Sequence, residues 1–203
     1  VNKITLRNQQ LQESYFDCEN ASEVVGRIKS QMENEQKVIC SMRLNDHIIS
    51  EEQESTLIDY KLSNVHMLEI EYCEYEEFYK DFIQSTQLFV IDLKKLCPHI
   101  SEAIYEQQME RFHNLFHDFI VSMDSMMSAV HFIHYKGRQE AAESTWKDVE
   151  TSTSEVLRQI LSLYPVKDFV SLADVFDYEM TDVLEEWAGL LQTISANEHR
   201  GDR

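Results

Sequence analysis

Apolar residues recur through the second half of the chain in alternating steps of four and three. The clearest run predicts one long helix over His99–Lys136, with Tyr105, Met109, Phe112, Phe116, Phe119, Met123, Met126, Val130 and Ile133 on a single seam. Leu115, Ile120, Met127 and Ala129 flank it and widen the seam into the buried face of a bundle helix. Similar spacing predicts a helix over 74–96 through Tyr75, Phe78, Phe82, Phe89, Leu93 and Leu96. It predicts another over 138–164 through Ala142, Trp146, Val149, Thr153, Val156, Ile160 and Leu163. A last helix runs to about Ser195 through Phe169, Ala173, Phe176, Met180, Val183, Trp187, Leu190 and Ile194. Cys97-Pro98-His99 and Pro165 read as breaks, because proline lacks an amide N–H and disfavours helical geometry in the residue before it. Short connections make antiparallel neighbours the simplest arrangement, so residues 74–196 are expected to form an up-down-up-down four-helix bundle, with 197–203 a frayed tail.

The first seventy residues carry a different period. Ile4 and Leu6 alternate with polar neighbours, and Ser14–Cys18 carries the β preference of Tyr15 and Phe16. Asn20 or Ser22 then caps a helix with Glu23 in its first turn and Val24, Val25, Ile28 and Met32 on one face. Val38–Met42 is a strand, Leu44–Ile49 a turn with a short returning strand, and Met67–Tyr72 a final alternating strand.

Within this region Thr56-Leu57-Ile58-Asp59-Tyr60-Lys61-Leu62, followed by Leu68 and Ile70, resembles the TLxDYxI…LxL end of ubiquitin and its relatives. The resemblance implies a ubiquitin-like β-grasp over residues 1–73, a mixed sheet curled around one helix, with Leu57 and Tyr60 pinning a short turn onto the core. The whole chain is then α+β. Departures from the family pattern narrow what it implies. The last strand runs into Cys73-Glu74-Tyr75-Glu76-Glu77 instead of a free diglycine, and Glu71 brings an acid near the patch that ubiquitin presents to partners. A conjugated tag or sulfur carrier is therefore not expected, and a fixed recognition domain is.

Composition narrows the partner. The 203 residues include 43% hydrophobic and 27% charged positions, as in ordinary globular proteins, and the net charge of −19 opposes nucleic-acid backbones and anionic lipid surfaces. No run approaches a membrane span, and the polar start VNKITLRNQQ does not read as a signal peptide, so no membrane insertion and a cytoplasmic location are expected. Cys18, Cys40, Cys73 and Cys97 lie far apart with no C-x-x-C unit, which suits a reducing compartment and small core residues.

Candidate chemistry is sparse. Glu110, His113 and His117 share the Glu-x-x-His spacing and helical face of di-iron bundles, but no second copy of the motif occurs, and the three are expected to be a polar flank with no metal or other cofactor. His131 and His134 sit where a helix C-terminus favours a cation. No nucleophile elbow, P-loop or dinucleotide fingerprint is present, and only four glycines are available to build one. Met123, Met126 and Met127 suit either a core or an adaptable partner-binding surface. The Arg200-Gly201-Asp202 triplet is expected to be chance. Together these features point to a non-enzymatic protein–protein interaction module, an adaptor or assembly factor, with homodimerisation as one possible partner choice. The alternatives are a secretion or assembly chaperone that holds a client helix and, with less support, a metal-dependent oxidase.

Overall fold

A computed structural model describes residues 1–137 and 143–198, with the side chains of Glu51, Gly137 and Glu198 left aside. The chain divides into two compact units, Val1–Tyr79 and Lys80–Arg203. Together they are α+β: a four-stranded antiparallel sheet followed in sequence by helices. The expected start of a helix at Arg138, the Arg200-Gly201-Asp202 triplet and most of the expected frayed tail fall outside the described residues.

In the first unit the strands are β1 (Asn2–Arg7), β2 (Lys37–Leu44), β3 (His47–Ile48) and β4 (Met67–Glu74). Their order is β1-β4-β2-β3 and every pairing is antiparallel. The mixed sheet implied by the ubiquitin resemblance is therefore not formed, since Asn2 lies opposite Tyr72 and Arg7 opposite Met67. The second strand expected at Ser14–Cys18 is also absent. β1 passes directly into α1 (Asn8–Ser14), anchored by Asn8 N donating to the His66 carbonyl at 3.0 Å. α1 buries one apolar side chain, Leu11, and a single buried residue leaves no period to detect.

Elsewhere local signals and structure coincide. α2 (Ala21–Asn34) is capped by Asn20, whose side chain accepts from Glu23 N at 3.0 Å, and it buries Val24, Val25, Ile28 and Met32. Leu57 lies in the same core, while the Tyr60 hydroxyl sits 2.9 Å from Asn45 Nδ2. Asn45 and Asp46 form the β2–β3 turn with φ of 49° and 69°, the left-handed geometry that asparagine and aspartate tolerate best after glycine.

Among the described residues the second unit carries five helices rather than the four expected. α3 (Tyr75–Tyr105), whose first turn belongs to the first unit, continues through Pro98. Pro98 lies on the exposed side, and the opposite side buries Leu93, Cys97, Ile100, Ala103 and Ile104. A proline inside a helix costs roughly 3 kcal/mol, and five buried side chains outweigh that. The break instead falls at Gln107, with φ of 57°. Gln108 N donates to the Ala103 carbonyl and Gln107 N to the Ile104 carbonyl, both at 2.9 Å, which is a Schellman ending. α4 (Met109–Gly137) is thus shorter than the expected His99–Lys136.

α5 (Glu143–Val166) runs through Pro165 and ends in a second Schellman pair around Lys167, φ 59°. The last expected helix is divided into α6 (Phe169–Asp174), a π-helical turn over Val175–Met180, and α7 (Thr181–Glu198). Ring contacts join these helices: Phe82 to Phe132, Phe116 to Tyr164, Phe119 to Phe176, and Trp146 to Trp187.

Candidate functional site: the groove between α3 and α7

α3 and α7 leave between them a surface groove of about 660 Å³. One wall is Gln87, Ile91, Lys94, Lys95 and Pro98 of α3. The other is Asp177 of the π-helical turn with Thr181, Glu185, Ala188, Gly189 and Gln192 of α7. Positions 87, 91, 94 and 98 step by four, three and four, as do 181, 185, 188 and 192. Each wall is thus a second stripe at helical spacing, beside the buried seam of its own helix. The lining residues Ala188 and Gly189 keep that wall low, and a Cβ built on Gly189 meets no atom within 4 Å.

The groove carries both signs of charge. Lys94 Nζ lies 2.7 Å from Glu185 Oε2, and this hydrogen bond holds the Glu185 carboxyl below its usual range. Lys95 pairs with Asp92 along α3 at 2.7 Å. At one end the buried Ser101 hydroxyl donates to Asp177 Oδ1. The Tyr105 hydroxyl donates to Asp174 Oδ1 at 3.1 Å, with Asp177 Oδ2 at 3.4 Å. Desolvation of its hydroxyl end, then the Asp174 bond and the nearby carboxylate charges, push the Tyr105 phenol up to about 12. The π-helical turn supplies Asp177, and Asp174 ends α6 just before it; such turns recur where a helix bends its spacing for function. Thr181 Oγ1 donates back to the Phe176 carbonyl at 2.8 Å, five residues earlier, which satisfies one acceptor in the widened turn.

Cys97 is buried beneath α3, and burial pushes its thiol up to about 12, so it stays protonated and inert at neutral pH. The groove is therefore a charged, amphipathic recess suited to holding a segment with apolar and ionic groups on one face.

The residues singled out from the sequence lie elsewhere. Glu110, His113 and His117 are all exposed, and His113 Nδ1 sits 3.3 Å from the Tyr164 hydroxyl. Among the described residues no group of three His, Cys, Asp or Glu side chains converges as metal ligands would. Met123 and Met126 are buried on the α4 seam and Met127 is half-buried, so a partner surface at Met123 and Met126 is corrected to core. His131 and His134 do more than face a helix end: they lie 3.0 Å from Glu150 and 2.9 Å from Glu143 on α5. Glu185, Thr181, Asp177 and Lys94 were missed. The repeated four-three-four stripe was the signal that could have found them.

Among the described residues, these features define a helical domain with a surface groove bounded by two of its helices. A family model described as "Domain of unknown function (DUF8042)" matches residues 81–190, more than half of the chain, and the chain belongs to that family. No curated protein and no solved structure matches it. Among the described residues no helix is long and apolar enough to cross a membrane.

Proposed function

We propose that the chain is a non-enzymatic, cytoplasmic protein-interaction module, an adaptor or assembly factor that receives one amphipathic helix of a protein partner in the α3–α7 groove. The observation that carries this is the paired stripe. Two helices with matching four-three-four spacing, separated by a low floor, offer a partner helix the same ridges that bundle helices offer one another. On the α3 wall Ile91 keeps an apolar side chain 37% exposed. In this proposal α3, α4, α5 and the α6–α7 rod are the four members of a bundle, and the partner lies on the α3–α7 seam. Leu57 and the Tyr60–Asn45 hydrogen bond support a local ubiquitin-like turn in the first unit, and with it a second recognition surface.

A chaperone holding a client helix uses the same groove and differs only in releasing it. The net charge of −19 favours a partner helix with a basic flank. Gly189 is exposed and a Cβ there meets no atom within 4 Å, so Gly189→Arg adds a long cationic side chain to the α7 wall. Full-length wild-type and G189R protein, each used to copurify partners from the native cell, test the proposal. A defined protein retained by wild type and lost from G189R, with unchanged circular dichroism, supports it. Equal retention by both overturns the groove as the site.

A further inference from the structure

The four cysteines are scattered in sequence, but the fold brings two of them together. β2 and β4 pair with Val38 opposite Cys73 and Ile39 opposite Tyr72, and then the register jumps so that Ser41 lies opposite Glu71. Cys40 is the extra residue of this β-bulge. In an unbroken ladder it would pair in turn. The inserted position instead places Cys40 Sγ 3.4 Å from Cys73 Sγ. Bulges re-aim single side chains, and this one aims a thiol at a thiol.

The two sulfurs are unequal. Cys40 is exposed, whereas Cys73 is 5% exposed. Burial first, then the bond to Cys40, push the Cys73 thiol up to about 11, so it stays protonated until a neighbour takes its proton. Cys18 and Cys97 are buried without a sulfur partner among the described contacts. An accessible sulfur beside a shielded one is the arrangement of an oxidisable cysteine and its resolving partner.

We propose that Cys40 and Cys73 form a reversible oxidation site whose co-substrate is a small hydroperoxide. The Cys40 thiolate attacks one peroxide oxygen and the O–O bond breaks. Cys40 keeps that oxygen as a sulfenic acid, and the other leaves as water or alcohol after taking a proton. Cys73 sulfur then attacks Cys40 sulfur, the S–O bond breaks, and the departing hydroxide takes the Cys73 proton as water. The two sulfurs lose two electrons to the peroxide, and an external thiol returns them when it reduces the disulfide. Closing the bond requires the sulfurs to approach from 3.4 Å to about 2.05 Å, a movement within the reach of side-chain rotation at a bulge.

The test uses the reduced full-length chain treated with hydrogen peroxide, alkylated, and mapped by mass spectrometry without reduction. The expected result is a Cys40–Cys73 linked peptide pair that dithiothreitol reverses. Cys73→Ser should accumulate a dimedone-reactive sulfenic acid at Cys40, and Cys40→Ser should leave Cys73 as a free thiol. Because Cys40 is exposed, C40S is expected to keep the wild-type circular dichroism spectrum. Absence of the linked pair in wild type overturns the proposal, as does advance of Cys40 to sulfinic acid equally in wild type and C73S.

Discussion

The two units are held by different materials. In the first, turns and loops are fastened by polar side chains. Asn45 alone accepts from His66 N at 2.7 Å and Met67 N at 3.1 Å, and donates to the Tyr60 hydroxyl and the Asn64 carbonyl. Asn20 caps α2, and Arg27 grips Asp17 through two nitrogens at 2.7 and 2.8 Å. In the second unit rings join the helices. Phe116 stacks on Tyr164 with centroids 4.7 Å apart, His134 stacks on Trp146 at 4.6 Å, and Trp146 meets the edge of Trp187 at 5.0 Å. A short sheet has few buried positions, so each loop needs a directional bond to fix it. Long helices meet along many residues, and the fit of their buried side chains carries most of the contact.

This contrast can be broken most sharply at Trp187. Its ring is fully buried, and its Nε1 donates to the buried Thr153 hydroxyl at 2.8 Å. Trp187→Ala is expected to lose about 3–5 kcal/mol, read as a fall in the urea midpoint of the full chain. A loss near that of an ordinary surface substitution would mean the ring contacts do not hold the helices. Asn45→Ala tests the other unit. It removes the acceptor of two backbone N–H groups and places alanine at a left-handed φ, and should cost about 1–3 kcal/mol by the same measurement. Asn45→Gly keeps the backbone freedom and isolates the side-chain share.

A smaller effect of opposite sign is expected at Gly189. Its Cβ would enter open space in a helix, so Gly189→Ala should stabilise the chain by about 0.5–1 kcal/mol, seen as a higher thermal midpoint. The smallest effect is electrostatic. Hydrogen bonds hold four surface carboxyls, Glu143 of them half-buried, below their usual range: Asp17 to Arg27, Glu35 to Lys37, Glu143 to His134 and Glu185 to Lys94. A carboxylate whose native value is lowered adds stability above the unfolded value. That stability fades as the pH falls from about 4 through the native value. Thermal midpoints should therefore drop between about pH 5 and 3, and less so in high salt because these pairs lie at the surface.

The same contrast explains what could be read from residues alone. Helical seams were legible because burial repeats: Phe112, Phe119, Met126 and Ile133 all lie where the spacing put them. Helix ends were not. Gln107 and Lys167 stop helices in a conformation usually left to glycine, while Pro98 and Pro165 sit inside helices. Tertiary burial decided these points, and a local rule about proline and glycine has no access to it. In the sheet unit all four strands were legible, and β3 was read as returning from β2, but the place of β4 between β1 and β2 was not, because alternation says which face a strand buries and nothing about a distant neighbour. The thiol pair escaped for the same reason, since 33 residues separate Cys40 from Cys73 and only the bulge joins them.

The π-helical turn at Val175–Met180 acts on everything after it as an inserted letter acts on a reading frame. Each residue of an α-helix advances the facing direction by about 100°, so an extra residue that the turn did not absorb would rotate the whole downstream segment by that angle. Trp187, Leu191 and Ile194 reach the core, and Thr181 and Glu185 reach the groove, because the extra residue has already been absorbed. A residue inserted after Thr181, in regular helix beyond the turn, should therefore do more damage than an alanine replacement there, whereas one deleted from 177–179 should only return the turn to α-helix. The insertion would swing the tryptophan out of the core and move the groove wall with it, joining the fate of the core to that of the recess.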